Sequence, residues 1–436
     1  MRLFWLSFVL IFLSACADDE HLTQARQPKN FIDKGDILGY LNLIRKDLGL
    51  SQLLLDKSLS ISSLAHANYC VKNGITGHNE DKNNPYFYAT TPSKRAVKAG
   101  AKTSLISENI TYKKHPSLYV DSLMSAIYHR FGFTNKEIDR VGFATASTDN
   151  MSATVFNMSN SKIGELCAQS FSPKSGKYII NACANAKAKI PKDNFDKALK
   201  IDNTDIVYYP NSLPAQPYFS GENPDPMPEC KILSTPVSVE FNESLGVVRL
   251  LDFEIFKDGK KLKNTRLLTS KNDPNKRLSP YQFALFSLKP FEFDSAYEAR
   301  VSYEQNGKKL QKIWHFSTQT PQKQYFVIDK NDAIGVQPNT EYEIFFMPKN
   351  CNETLSQYVY SGTAKVQIKK IDTNLLSVRL SGVKGQSIDL KANDYTVKIV
   401  LLDSSKDSFK PNGIIPATLI LASIILLFLT LRKRQR

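Results

Sequence analysis

A short polar run, TGHNED at residues 76–81, places one histidine beside two carboxylates. His78, Glu80 and Asp81 are residue types that bind divalent metals or transfer protons. The pattern His78-Asn79-Glu80 also occurs in zinc deaminases, but no P-C-x-x-C follows it, so that chemistry is excluded. Two interpretations stay open at this point, a functional site and a solvated turn.

Two further residues could act with this run. Glu108 lies just before a strand-like ITY, and His129 lies in a helix predicted over residues 117–131. Helical spacing puts His129 on a small, polar face with Ser122 and Ser125, which leaves room for a cleft. The chain has no HExxH, G-x-S-x-G, P-loop or G-x-G-x-x-G motif, so the standard catalytic patterns give no assignment.

The elements that must position these residues read as mixed α and β. Apolar residues at helical spacing predict helices, and β-branched runs predict strands. The predicted elements are helices at 37–48, 58–73, 93–99 and 117–131 and strands at 141–146 and 153–158.

Composition indicates several folded domains. The chain has 436 residues, of which 42% are hydrophobic, enough for two or three cores. We predict an α+β domain at 30–200, a Pro-rich, extended linker at 208–230, and β-sandwich-like modules at 235–320 and 324–405. The formal charge of +15 is spread without a long basic block, so we predict no nucleic-acid partner.

Both ends of the sequence contain predicted targeting segments. Residues 1–16 form an export signal with an apolar core, and LSAC resembles a bacterial lipobox in which Cys16 receives a lipid. Residues 413–431 carry no charge and precede the basic RKRQR, as in a transmembrane helix. A removable sorting tail is the alternative for this second segment. The main body is predicted to lie in the cell envelope, outside the cytoplasm, with membrane attachment through the lipid, the C-terminal helix or both.

The remaining cysteines fit an exported chain. Cys167 and Cys183 are close enough in sequence to close a local loop, and Cys230 with Cys351 could join two later segments. Cys70 would then be left over, in an apolar helical pattern that favours a buried thiol.

The first 170 residues contain several motifs in a characteristic order, namely YLNLIRKDLGLSQLLLD, SLAHANYCVKNG, GHNE, SENITY, IYHRFGF and VGFATA. This series resembles the CAP superfamily, which comprises the cysteine-rich secretory, antigen 5 and pathogenesis-related 1 proteins, and in particular its bacterial branch. SEN corresponds to the GEN turn of the family, with Ser107 in place of the glycine. The later β region resembles Ig-like modules that follow such domains in envelope proteins.

The resemblance implies an α-β-α sandwich with a cleft of histidines and glutamates. By motif, His78 and His129 correspond to the cleft histidines and Glu108 to the glutamate of GEN, and together they would hold a divalent metal such as Zn²⁺. Glu80 is added as a cleft residue because it neighbours His78. The resemblance favours a binding protein whose ligand is a lipid, a cell-wall component or a protein. A metal-dependent hydrolase with Glu108 as general base, and a structural surface protein, are the alternatives.

Overall fold

The computed structural model describes residues 22–29, 32–171, 176–201 and 203–403. The predicted lipidation site at Cys16 and the predicted transmembrane or sorting segment at 413–431 lie outside these ranges. Within them, no helix has the length and apolar character needed to cross a membrane. The described chain forms an α+β domain followed by two β-sandwiches.

The described part of the first domain contains seven α-helices. They are α1 Ile37–Asp47, α2 Lys57–Asn73, α3 Pro92–Lys98, α4 Tyr119–Ser125, α5 Ile127–Phe133, α6 Ser161–Cys167 and α7 Lys192–Leu199, with a short 3₁₀ helix at Pro116–Leu118. A second 3₁₀ helix, Glu243–Leu245, lies in the first β-sandwich. Side-chain caps fix two of the starts: Asp36 accepts from the Gly39 amide before α1, and Asp56 from the Leu59 amide before α2. Gly74, in the left-handed conformation, ends α2.

One predicted helix is interrupted. The spacing over 117–131 predicts a single helix, but Ala126 adopts an extended conformation with φ −88° and ψ 114° and separates α4 from α5. Helix α5 therefore has its own N-terminus, whose first amides lack partners within the helix. Because of this interruption, His129 lies in the first turn of α5.

The central sheet of the first domain has four strands in the order β1-β3-β4-β2. Their bounds are β1 Leu54–Leu55, β2 Ser107–Thr111, β3 Arg140–Ser147 and β4 Ser152–Ser159. Successive side chains of β4 point to opposite faces of the sheet. Phe156 and Met158 pack with α1 and α4, whereas Ala153 and Val155 pack against α2. The sheet is thus covered by helices on both sides, in an α-β-α sandwich.

A short extension completes this domain. Strands β5 Tyr178–Ile179 and β6 Ile190–Pro191 pair with each other beside α6 and α7. Cys167 and Cys183 form a disulfide with an S–S distance of 2.03 Å, which fixes the extension to the end of α6.

The first β-sandwich begins earlier than the predicted boundary at 235, because β7 pairs with β10. Its two sheets have the orders β13-β14-β10-β7 and β12-β11-β15-β16, and their inner faces share one core. The strands of these sheets are β7 Ile206–Tyr209, β10 Val237–Phe241, β11 Val248–Lys257, β12 Lys260–Lys261, β13 Thr265–Thr269, β14 Gln282–Ser287, β15 Ala296–Gln305 and β16 Lys308–Ser317. The intervening strands β8 Tyr218–Phe219 and β9 Leu233–Ser234 form a separate two-stranded sheet.

The Pro-rich segment is packed rather than free as a spacer. Strand β8 pairs with β9, and Phe219 lies in a buried cluster together with Ala126 and Ile127 of the first domain. The predicted Pro-rich linker is therefore part of the packed structure, with Tyr218 and Phe219 buried between domains.

The second β-sandwich has two four-stranded sheets, β17-β19-β22-β21 and β18-β24-β23-β20, around a single core. Its strands are β17 Tyr325–Ile328, β18 Asp332–Val336, β19 Glu341–Phe346, β20 Tyr358–Gly362, β21 Lys365–Asp372, β22 Leu375–Ser381, β23 Ser387–Ala392 and β24 Tyr395–Leu401. The Cys230–Cys351 disulfide joins the Pro-rich segment to this sandwich. Thr23 and Arg26 form β-bridges to it from the start of the described chain.

Candidate binding cleft

A cleft of about 590 Å³ opens between the first domain and the Pro-rich segment. It is lined by residues 76–78 after α2, 110–113 at the end of β2, parts of α4 and α5, and 220–223 of the Pro-rich segment. His78 and His129 both line it, so the structure brings two of the predicted site residues together. Their ring centroids are 6.4 Å apart, with 27° between the planes.

His78 is held by the predicted residue Glu108. Nδ1 of His78 lies 3.0 Å from Oε1 of Glu108, whose carboxylate is buried, while the His78 side chain is 40% exposed. A carboxylate accepts hydrogen bonds, so Nδ1 carries the hydrogen. Nε2 of His78 has no protein partner among the described residues and is available to a ligand.

His129 has a carboxylate partner that sequence reasoning missed. Its Nδ1 lies 2.7 Å from Oε2 of Glu222, which belongs to the Pro-rich segment. Nε2 of His129 likewise lacks a partner in the described chain. The sequence did contain a signal, since residues 221–223 read Gly-Glu-Asn, a polar tripeptide within a run of prolines.

The carboxylate of Glu108 is held in place by Arg95. Nη2 of Arg95 donates to Oε2 of Glu108 at 2.8 Å and to Oε1 at 3.0 Å, and both side chains are buried. Burial alone would raise the pKa of Glu108, but hydrogen bonds from His78 and Arg95 and the charge of His66 lower it below its usual value. Glu108 is therefore an ionised carboxylate that orients His78.

Glu80 does not lie in the cleft, contrary to the prediction. Its side chain is buried, with Oε1 2.9 Å from Nδ1 of His66. Its Oε2 accepts from the backbone amides of Tyr88 at 2.7 Å and Ala89 at 3.2 Å. The carboxylate turns inward because it satisfies these amides and the buried imidazole, and so it is a structural group beneath the cleft.

His66 is a buried cation in this arrangement. Its Nδ1 faces Glu80, and its Nε2 lies 2.9 Å from the carbonyl oxygen of Gly77, so both ring nitrogens meet acceptors and must both carry hydrogen. Burial lowers the pKa of His66, but contacts with Cys70, Glu80 and Glu108 outweigh it and raise the pKa to about 9. Cys70 itself is a buried free thiol.

The predicted metal set of His78, His129 and Glu108 does not fit a three-ligand centre. Both oxygens of Glu108 are engaged by Arg95, whose positive charge disfavours a cation at the same carboxylate. Within the described ranges, no group of three or more His, Cys, Asp or Glu residues is arranged to hold a metal ion. Zinc binding stays a prediction, restricted to the two imidazole Nε2 atoms.

The first domain is an α-β-α sandwich in which two histidines, each paired with a carboxylate, line one cleft. Residues 38–158 match the family model described as the Cysteine-rich secretory protein family, CAP. The first domain of this chain is therefore a CAP domain, and the predicted resemblance is confirmed for this part of the sequence.

Solved structures with similar domains were also found. An outer surface protein from Borrelia burgdorferi is 20% identical over 31% of this chain and 96% of its own, with a TM-score of 0.26. An extracellular protein containing a SCP domain from Bacillus anthracis is 18% identical over 28% and 39%, with a TM-score of 0.24. Fibronectin(III)-like modules of Clostridium thermocellum CbhA are 10% identical over 48% and 100%, with a TM-score of 0.15. No curated protein matches the chain.

Proposed function

We propose that the protein binds a ligand outside the cytoplasm in the cleft between its CAP domain and its Pro-rich segment. The observation that carries this proposal is the pair of histidines, His78 and His129, each held at Nδ1 by a buried carboxylate. In the neutral ring this leaves an acceptor, Nε2, for a hydroxyl or amide group of the ligand. The cleft volume lies within the usual range for small-molecule sites.

The charges around the cleft favour an uncharged ligand group. Beneath it, the cations His66 and Arg95 face the carboxylates Glu80 and Glu108, so this buried cluster has no net charge. On the other wall, Lys113 is paired with Asp372 of the second β-sandwich. A polyhydroxylated or amide-bearing cell-wall fragment suits these walls better than a strongly anionic polymer.

A binding role is better supported than the hydrolase alternative. Neither His78 nor His129 is hydrogen-bonded to a hydroxyl or thiol in the described part of the chain, so no nucleophile is prepared for attack. Glu108 is a poor general base, because its lowered pKa and its ion pair with Arg95 both stabilise the carboxylate.

Attachment to the cell envelope is part of the proposal. It is supported by the lipobox-like LSAC at Cys16 and by the uncharged run at 413–431 before the basic tail. Metabolic labelling with a fatty acid, compared between the natural chain and Cys16→Ser, tests the lipid; retention of label in the variant would exclude it.

Binding can be tested with soluble protein and two probes, cell-wall muropeptides and neutral lipid vesicles, with a mock solution as the blank. We expect saturable binding to muropeptides that falls about tenfold in His78→Ala and His129→Ala, as for the loss of one hydrogen bond to a ligand. His315→Ala is the matched control, because His315 is exposed on the first β-sandwich and does not line the cleft.

Three outcomes would overturn the proposal in its present form. Binding to vesicles alone would favour a lipid ligand, and binding to neither probe would favour a structural surface protein. Turnover of muropeptides that requires added Zn²⁺ would favour the hydrolase.

A further inference from the structure

The Pro-rich segment supplies a side chain to the N-terminus of α5. This helix has no side-chain cap of its own. Instead, the carboxylate of Glu222 accepts from the backbone amide of Tyr128 at 3.2 Å and from that of His129 at 3.4 Å. One carboxylate thus satisfies amides at the helix start and Nδ1 of His129 at once.

Glu222 is held firmly enough to impose a geometry on His129. Its side chain is 1% exposed, and that of His129 is 12% exposed. The neighbouring backbone is fixed by the first β-sandwich, since Nδ2 of Asn275 donates to the carbonyl oxygen of Asp225 at 2.7 Å. The Tyr128 hydroxyl also binds Asp273 of that sandwich. The segment with Glu222 and the helix with His129 are therefore each held by separate hydrogen bonds to the first β-sandwich.

The contact fixes the position of the hydrogen on the imidazole. An ionised carboxylate has no hydrogen to donate, so Nδ1 of His129 must be the donor. In the neutral ring, Nε2 then has the free lone pair on the side of the cleft. Without such a partner the two tautomers exchange, and Nε2 would present a hydrogen part of the time.

We propose that Glu222 is a positioning residue that holds His129 in its Nδ1–H tautomer. Residues 220–223 then form one side of the binding cleft and also determine which ring nitrogen of His129 can accept a hydrogen bond from a ligand. The consequence for ligand binding rests on the proposed function; the tautomer does not. The inference also means that the CAP domain obtains one of its two histidine–carboxylate pairs from sequence that follows the domain.

The test is nuclear magnetic resonance of the full chain with isotopically labelled histidine, without ligand. Ring carbon and nitrogen shifts distinguish the two tautomers, and spectra from about pH 5 to about pH 10 cover imidazole titration. We expect His129 as the Nδ1–H form in the natural chain, a mixture richer in Nε2–H in Glu222→Ala, and recovery in Glu222→Gln, whose amide oxygen still accepts.

Controls separate this role from a general loss of structure. Glu229→Gln alters a half-exposed glutamate of the same segment, which pairs with Arg266, and should leave His129 unchanged. The His78 signals should stay constant in all variants because Glu108 holds that ring. An Nε2–H form in the natural chain, or an unchanged Nδ1–H form in Glu222→Ala, overturns the proposal.

Ligand binding then reports separately on the proposed function. If muropeptides bind, Glu222→Ala should weaken that binding about tenfold while Glu229→Gln does not. A tautomer change without any muropeptide binding would leave the positioning role intact and contradict the proposed ligand.

Discussion

Buried charge is concentrated beneath the cleft in four side chains, His66, Glu80, Arg95 and Glu108. Each is almost fully removed from water, and burial of unpaired charge would cost several kcal/mol per group. Pairing offsets that cost: His66 faces Glu80, and Arg95 faces Glu108. The cluster thereby fixes the orientation of His78, although only one of its members contacts that ring directly.

His66 should make stability depend on pH. Its pKa is about 9 in the folded protein against 6.5 for an ordinary histidine. Protonated His66 contributes about 3 kcal/mol to the free energy of unfolding below about pH 6.5, and this contribution is lost as the pH rises through about 9. The reason is that the unfolded chain releases the His66 proton at a lower pH than the folded protein does. His66→Gln should remove this part of the pH dependence, as measured by urea unfolding at several pH values.

The matched control for that experiment is His115→Gln. His115 is exposed and hydrogen-bonded to Ser117, so this variant should retain the slope of the natural chain. Identical slopes for the natural chain and His66→Gln between about pH 6.5 and about pH 9 would contradict the buried imidazolium.

Secondary-structure elements position the site through one close crossing. Helix α2 passes over β3 at Gly142, where an added Cβ would lie 2.1 Å from the backbone nitrogen of Ser60 and 2.3 Å from the carbonyl carbon of Leu59. The hydroxyl of Ser63 donates to the Gly142 carbonyl oxygen at 2.9 Å. This contact sets the distance between α2 and the central sheet. It therefore also sets the position of the loop with His78, which follows α2.

Gly142→Ala should destabilise the CAP domain by about 3 kcal/mol, because backbone atoms on both elements would have to move apart. Gly164→Ala is the control: Gly164 lies in α6 with its nearest foreign atom 4.0 Å from the added Cβ. That change should be neutral or stabilise by about 0.5 kcal/mol through helix propensity. Thermal unfolding of both variants checks the prediction; equal effects would argue against the crossing.

At the scale of the whole molecule, the three domains are joined by more than chain connectivity. Arg130 is fully buried, and its Nη1 donates to the Pro236 carbonyl oxygen at 2.6 Å and to Ser238 at 2.8 Å in the first β-sandwich. Lys113 pairs with Asp372 in the second. These contacts connect the CAP domain directly to both β-sandwiches.

The two disulfides should differ in their effects on stability. Cys230 and Cys351 are 121 residues apart, whereas Cys167 and Cys183 are 16 apart. Closing the longer loop removes more entropy from the unfolded chain, by about 5 against about 3 kcal/mol. Replacing both cysteines of a pair with serine should therefore lower the unfolding free energy more for the long loop. Denaturant unfolding checks this order, and a reversed order would be inconsistent with it.

The elements of the CAP domain were readable from sequence where local signals are strong. Helices α1, α2 and α3 and strands β3 and β4 lie within about two residues of their predicted bounds. Glycines, capping aspartates and apolar spacing act over a few residues, so they survive without tertiary information. The break at Ala126 was not readable, because an alanine in a helical pattern gives no local signal. In the structure Ala126 packs in one buried cluster with Phe219, which is distant in sequence.

The sequence by itself determined which residues could form the cleft, through the GHNE, SEN and IYHR motifs that contain His78, Glu108 and His129. Tertiary structure alone decided how they are used. In the folded chain, Glu80 accepts from buried backbone amides, and Glu108 is paired with Arg95. Folding also brings Glu222 into contact with His129, although the two are 93 residues apart in sequence. The physical reason is that a carboxylate pairs with the nearest available donor in space, and that donor is chosen by the packing of domains.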